Sequence, residues 1–285
     1  MKKRIGVIGG SGLYEMTGLE EIKETKVSTP FGNPSDHFIV GNLKGQEMVF
    51  LARHGRGHRI IPSEINFRAN IYGMKTLGVE WIISVSAVGS MKENLPPGHI
   101  LIPHQFIDRT KKRESTFFGN GIVAHVTFAD PICPILSNIL FSAGCKINAP
   151  IDKEGIYLCI EGPQFSSRAE SNLYRQWGVD VIGMTNIPEA KLAREAEICY
   201  ATLALVTDYD CWHEVEEDVH IEMVLEILQK NTVIAQEIIR TAVPEISHTR
   251  TCICSHSLQN AIITSPESIP EEKKKELDIF IGAYV

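Results

Sequence analysis

Residues 4–12 read Arg4-Ile5-Gly6-Val7-Ile8-Gly9-Gly10-Ser11-Gly12. The run from Arg4 to Ile8 is apolar and β-branched, and two glycines stop it at once, as expected of a buried strand that empties into a tight loop. The same signal recurs outward along the chain. Phe38 to Val40 and Met48 to Ala52 are strand-like and bounded by Gly41 and Gly55. The period then changes. Pro62 and Ser63 open a segment in which Ile65, Ala69 and Tyr72 recur at helical spacing, with Gly78 placed to end it. Trp81 to Val85 and Ile100 to Ile102 return to strand, and Ile135 to Ala143 reads as helix stopped at Gly144. The second half repeats the order: strand near Ile156 to Ile160, helix near Arg168 to Trp177, strand near Val179 to Met184, helix near Glu189 to Ala196, strand near Tyr200 to Thr207. Such alternation predicts one α/β domain over residues 1–285. Farther on, Val219, Met223 and Ile227 pair with Val224 and Leu228 in a broad helical stripe that reads first as core. After about residue 247 the pattern weakens, and Lys273 to Lys275 read as a solvated charge run.

Charge and composition narrow the function classes. The chain carries 28 basic and 35 acidic residues, a net charge of −7, and its densest basic stretch is Lys111-Lys112-Arg113. A nucleic-acid footprint is therefore not expected, and small ligands are. No apolar run approaches the roughly 20 residues that span a bilayer, and the basic start leads into a strand, so a cytoplasmic protein without a membrane partner is expected. Seven cysteines in that setting read as free thiols. Cys133, Cys145, Cys159, Cys199 and Cys211 are expected to be small buried hydrophobes, whereas Cys252-Ile253-Cys254 lies in a polar tail where metal binding, a strained disulfide and chance stay open. No second Cys-x-x-Cys or His-x-x-x-His accompanies the pair, which argues against a zinc ribbon.

Four polar segments fall at predicted strand ends, where open α/β sheets bind ligands. In the first, Gly9 to Gly12, backbone amides and a hydroxyl could cradle an anion, or simply turn the chain. The dinucleotide fingerprint fails there, because counting from Gly10 its third glycine is Glu15. The second, Ala52-Arg53-His54-Gly55-Arg56-Gly57-His58, packs four potential cations into six positions. Arginine's planar fork suits phosphate, so an anion site is favoured over a surface salt-bridge cluster. The third, Ser84 to Ser90, runs a strand into small residues with free amides and hydroxyls. The fourth, Ala204 to Asp210, delivers Asp208 and Asp210 at alternate positions, hence on one side of an extended chain; a helix N-cap is the competing reading.

Taken together, Gly-Gly-Ser-Gly-Leu from Gly9, Thr29-Pro30-Phe31-Gly32, Ala52-Arg53-His54-Gly55, Glu161 to Glu170 (Glu-Gly-Pro-Gln-Phe-Ser-Ser-Arg-Ala-Glu), Gly183-Met184-Thr185 and Thr207 to Trp212 (Thr-Asp-Tyr-Asp-Cys-Trp) resemble the trimeric purine-nucleoside phosphorylases, closest to the branch acting on 5′-methylthioadenosine. The resemblance covers Gly6 to about Leu225. It implies a central mixed β-sheet flanked by helices. It also implies a phosphate site of Ser11, Arg53, His54, Ser86, the Ala87 amide and Thr185. The base would lie between Phe165 and the strand bearing Asp208 and Asp210, with Met184 beneath the ribose and His58 nearby. Ile221, Val224 and Leu225 would line the 5′ pocket, which moves part of that helix from core to site, and His125 would reach in from a neighbouring subunit of a homotrimer or homohexamer. Some relatives carry Thr where this chain has Ser11 and Ser86, a change that keeps the hydroxyl.

The implied chemistry is phosphorolysis. Breaking the C1′–N9 bond leaves an oxocarbenium-like sugar and an electron-rich purine. Phosphate dianion held beneath C1′ by Arg53 stabilises and then captures the cation, while Asp208 as general acid at N7 and Asp210 as acceptor from the 6-amino group relieve the base. Inorganic phosphate is a co-substrate, and no cofactor or metal is required. Three other readings remain: a dinucleotide-dependent oxidoreductase, which would leave Arg53, Asp208 and Asp210 idle; a binding module without turnover; and a hydrolytic nucleosidase, which would not need the Arg53 and His54 cradle. Adenine release with and without phosphate separates them.

Overall fold

The computed structural model describes residues 3–213, 221–247 and 249–285, with the side chains of residues 11, 14 and 221–223 outside that description. The opening stretch forms β1 (Arg4–Gly9), whose Val7 and Ile8 are fully buried. Burial on both faces is what a continuous apolar run buys in a parallel strand, and β1 pairs in parallel with β4 (Gln46–Ala52) on one side and β5 (Val79–Ser90) on the other. Outward from β4 come β3 (Phe38–Leu43) and the edge strand β2 (Leu19–Thr25), both antiparallel. The far side holds β6 (Ile100–Ile102), β7 (Gln105–Arg109), β8 (Ile151–Lys153), β9 (Ile156–Ile160), β10 (Val181–Gly183) and β11 (Cys199–Asp208). Among the described residues these strands form one mixed sheet of 11.

Helices α1 (Phe67–Thr76), α2 (Pro134–Lys146), α3 (Arg168–Gln176), α4 (Asn186–Glu195) and α5 (Ile221–Ala242) flank it. Their starts are chemically marked. Asn66 accepts from the Ala69 amide at the head of α1, and Ser167 with Glu170 closes a capping box on α3. The α1–α4 and α2–α5 pairs pack together over the β5–β11 centre.

The C-terminal segment is more ordered than its composition suggests. Helix α6 (Glu271–Ile281) contains the Lys273–Lys275 run, and its Leu277, Phe280 and Ile281 are buried, Phe280 packing edge-on to Tyr72 and against Phe117. The charge run is thus the wet face of an amphipathic helix. Cys252 and Cys254 also differ from expectation: both are buried, neither is disulfide-bonded, and their sulfurs converge with those of Cys133 and Cys199. Cys133 and Cys199 are free and buried as expected, and so is Cys159, whereas Cys145 is exposed and Cys211 half-buried.

The feature that positions the site is a fork in the sheet. Along β5, one flank pairs continuously with β11, while the other pairs with β1 as far as Ser84 and with β10 only from Gly89. Residues 85–88 thus face a crevice where the sheet splits, the location at which open α/β sheets take ligands. Ala87 is exposed although its neighbours in this central strand, Ser86 and Val88, are buried.

Candidate active site

Arg53 follows β4, and its guanidinium enters the fork from below. It donates from Nε and Nη2 to the two carboxylate oxygens of Glu189 at 2.7 and 2.8 Å, from Nη1 to Val85 O at 2.9 Å, and from Nη2 to Ser84 Oγ at 2.7 Å. Burial alone would lower its pKa, but the Glu189 carboxylate more than reverses that, so the guanidinium stays charged. The expected bidentate grip on phosphate is therefore already spent on Glu189, which leaves Nη1 as the nitrogen with a hydrogen to spare.

Glu189 heads a buried polar network. Its Oε1 also accepts from Ser84 Oγ at 2.8 Å and from Tyr200 Oη at 2.9 Å. Asn186 donates to Tyr200 Oη and Thr202 Oγ1 and accepts from Ser86 Oγ at 3.0 Å, so the Ser86 hydroxyl is aimed from behind. Ser86 and Thr185 face Tyr157 Oη. Yet Tyr157 Oη and Thr185 Oγ1, both buried, complete no hydrogen bond of their own. Unpaired buried hydroxyls are costly unless a ligand satisfies them.

The other cations of the Arg53–His58 loop diverge. Arg56 turns outward onto Glu24 and Asp36, with Nη2 at 2.7 and 2.8 Å from their oxygens, so the surface salt-bridge reading accounts for it. His54 Nδ1 lies 2.8 Å from Ile60 O, which can only accept, so Nδ1 carries the hydrogen and Nε2 keeps a lone pair. Burial, aided by the Arg53 charge, pushes the imidazole down to about 4. His54 is neutral at pH 7 and stacks on the exposed His58 ring, centroids 4.4 Å apart.

At the far rim, β11 ends at Asp208. Asp210 has a left-handed backbone, φ 54°, so the alternation expected of an extended chain does not reach it. Instead its amide folds back onto Asp208 Oδ1 at 2.8 Å, an Asx turn, and Thr207 Oγ1 donates to Oδ2 at 2.7 Å. Gly89 makes room: a Cβ there would lie 2.8 Å from Asp208 Oδ1. Asp210 is 8% exposed, and burial, with the Asp208 charge adding to it, pushes its carboxyl up to about 6. The retained proton was expected on Asp208; the carboxyl that burial raises here is that of Asp210.

The Glu161–Arg168 loop is tied to this rim, Cys211 Sγ donating to Ser166 O at 3.3 Å. Phe165 on that loop is 54% exposed. Met184 lies under it, where a Cβ at Gly162 would strike the thioether. Arg113, part of the densest basic stretch, has a buried side chain; its Nη1 donates to Met184 O at 2.6 Å and Ile187 O at 2.7 Å, and its Nε pairs with Glu161 at 3.2 Å. Val224 is half-buried and Leu225 58% exposed on the first turns of α5. His125 is exposed, its amide bonded to Ala261 O at 2.8 Å. The side chains of Ser11 and Ile221 lie outside the described residues.

Residues 4–244 match the sequence profile of the phosphorylase superfamily. The chain belongs to that family. This phosphorylase is 60% identical to the S-methyl-5′-thioadenosine phosphorylase of Geobacter sulfurreducens over all of both chains. It is 55% identical to that of Koribacter versatilis, over all of this chain and 97% of the relative. Among solved structures it is similar to a methylthioadenosine phosphorylase from an antarctic soil metagenomic library (51% identity, TM-score 0.93, covering 98% of this chain and 99% of the other). It is also similar to the methylthioadenosine phosphorylase of Schistosoma mansoni in complex with adenine (36% identity, TM-score 0.86, covering 92% and 99%). Among the described residues of the phosphorylase no helix is long and apolar enough to cross a membrane.

Proposed function

We propose that this enzyme cleaves 5′-methylthioadenosine with inorganic phosphate to adenine and 5-methylthioribose 1-phosphate, a step of purine and methionine salvage in the cytoplasm. The observation that carries the reading is the pairing of two unlike ends on one crevice. One end offers buried hydroxyls that complete no hydrogen bond, Thr185 and Tyr157; the other offers two adjacent carboxyls, of which Asp210 is raised to about 6. Phosphate fits the first and a purine edge the second.

Phosphate would take the Thr185 hydroxyl, the Ala87 and Ser11 region, the remaining Nη1 hydrogen of Arg53 and, once its hydrogen turns away from Asn186 Oδ1, the Ser86 hydroxyl. His54 Nε2 would accept from a protonated phosphate oxygen. Arg53 and Glu189 together are close to neutral, so the positive field on the nucleophile is modest and its alignment beneath C1′ carries more of the rate. Asp210 would hand its proton to N7 as the glycosidic bond breaks, and ionised Asp208 would accept from the 6-amino group. Phe165 and Met184 would cover base and ribose, Ile221, Val224 and Leu225 the methylthio group, and His125 would serve a neighbour's site in a homotrimer or homohexamer.

The decisive experiment follows adenine release from methylthioadenosine, adenosine and inosine, with and without phosphate. Phosphate-dependent release, fastest from methylthioadenosine, is expected. Equal release without phosphate would point to a hydrolase.

A further inference from the structure

Four cysteines from three distant parts of the chain meet at the base of β11. Cys133 precedes α2, Cys199 opens β11, and Cys252 and Cys254 sit at the short turn after α5. Their sulfurs all lie within 4.8 Å of one another, with Cys199–Cys252 at 3.2 Å and Cys133–Cys252 at 3.7 Å. A tetrahedral zinc–thiolate centre, with Zn–S of about 2.3 Å, requires sulfur–sulfur edges of about 3.8 Å. The four sulfurs bracket that edge, from 3.2 Å to no more than 4.8 Å.

The local chain is shaped for it. Cys252 and Cys254 are 8% and 1% exposed while Ile253 between them is 61% exposed, so an apolar side chain is left in water and both thiols are turned inward. The Cys133 amide donates to Tyr200 O at 2.8 Å, locking that thiol beside Cys199. All four residues are buried, so every coordination position is filled by protein and none is open to a substrate.

We infer that Cys133, Cys199, Cys252 and Cys254 form a structural tetrathiolate site for zinc. Soft thiolates in a closed tetrahedron select this ion over calcium or magnesium. The site is remote from the chemistry: β11 runs ten residues from Cys199 to Asp208, roughly 30 Å at the rise of an extended strand. Its work is to pin the C-terminal segment to the foot of the central sheet. Binding replaces four thiol protons by one Zn²⁺, with no change of oxidation state.

The test begins with the whole protein purified under reducing conditions, its metal measured by plasma mass spectrometry and its thiols counted after denaturation in chelator. About one zinc per chain and seven titratable thiols are expected. Replacing zinc by Co²⁺ should give the ligand-field and thiolate charge-transfer absorption of a tetrahedral sulfur site. Chelation, or Cys252→Ser with Cys254→Ser, should speed thermal inactivation severalfold while kcat at low temperature stays within twofold of wild type. Three thiols and no metal would mean two disulfides and overturn the assignment. Seven thiols without metal, and no uptake of Zn²⁺ or Co²⁺, would overturn it equally. Because wild-type stoichiometry needs no variant, a misfolded double mutant leaves the test intact.

Discussion

Arg53 and Glu189 form a two-pronged ion pair in the dry centre of the sheet, with side chains 2% and 0% exposed. Neither charge could sit there alone. Removing one partner of such a pair leaves an uncompensated buried charge at a cost of about 3–5 kcal/mol. Glu189→Gln should therefore lower the free energy of unfolding by that amount in urea titration. Its effect combined with Arg53→Met should fall well short of the sum of the two singles, since each removes the same interaction. Additive effects would show that the pair does not hold the core as a unit.

His54 should act on phosphate and not on the nucleoside. With Nδ1 committed to Ile60 O and the ring neutral, Nε2 can only accept. His54→Ala is expected to raise KM for phosphate about tenfold, as one lost hydrogen bond would, and to leave KM for methylthioadenosine within twofold. Initial rates with each substrate varied in turn decide this. A rise confined to the nucleoside would remove His54 from the phosphate end.

The buried strands were legible because both-face burial leaves unbroken apolar runs, as in Ile5–Ile8 and Ala204–Val206. The edge strand β2 was not, since Leu-Glu-Glu-Ile-Lys-Glu-Thr is mostly exposed and has no apolar period. Helix α6 hid behind Lys273–Lys275 for a similar reason: its three buried residues crowd its second half. At the site, strand ends with polar residues were visible, but direction was not. Nothing local distinguishes Arg53, which points into the core, from Arg56, which points out. Glu189, Asn186 and Tyr157 escaped because each lies on an element whose neighbours look like ordinary packing, and Arg113 because it sits in a loop beside two lysines. The one local cue was the Gly183-Met184-Thr185 motif, which runs straight into Asn186 and Glu189. The four-cysteine cluster needed tertiary structure, because only Cys252 and Cys254 are near in sequence.

Gly183 tests the packing that holds Tyr157 in place. A Cβ at this position would fall on Tyr157 Oη, 2.6 Å from its Cζ and 3.2 Å from Val88 Cγ1. Gly183→Ala should destabilise the fold by about 1–3 kcal/mol, as overpacking does, and raise KM for phosphate by displacing the neighbouring Thr185. Adding Tyr157→Phe removes the worse clash but not the Cζ contact, so thermal melts should show partial rescue. No rescue would mean that the ring yields without cost.

Two buried carboxyls give the fold a calculable pH response. Burial raises Asp210 from an ordinary 3.8 to about 6, and Glu195, which accepts from the Phe117 amide and Thr116 hydroxyl, from 4.5 to about 7. Groups whose folded pKa is raised contribute stability that is fully present below the unfolded value and lost as pH rises through the folded one. Glu195→Gln should therefore gain on wild type between pH 5 and pH 8, and Asp210→Asn between pH 4 and pH 7, judged by melting temperature in matched buffers. A gap that does not grow across these windows would contradict the assigned environments.

Asp208 and Asp210 should jointly set turnover and base choice, because a carboxylate beside a carboxylic acid matches adenine's N7 acceptor and 6-amino donor. Inosine presents a 6-oxo oxygen to an acceptor, so it should react poorly; sites built on buried hydrogen bonds reject such mismatches strongly. In the proposed assignment the proton is that of Asp210, whose carboxyl is held up to about 6 by burial first, with the Asp208 charge adding to it. For methylthioadenosine, kcat/KM should accordingly fall as pH rises above about 6. Asp210→Asn keeps the shape and supplies an N–H, but it cannot transfer a proton, so turnover should drop by roughly 10² to 10⁴ and the alkaline fall should vanish. Asp208→Asn removes the neighbouring charge, which moves the alkaline limb to lower pH. Its amide can donate to a 6-oxo group, so the preference for adenosine over inosine should narrow. The measurement is kcat/KM for methylthioadenosine, adenosine and inosine at saturating phosphate from pH 5 to 9, in wild type and both variants. If Asp208→Asn loses the alkaline limb and Asp210→Asn keeps it, the proton belongs to Asp208; if wild type prefers inosine, this strand end does not hold the base.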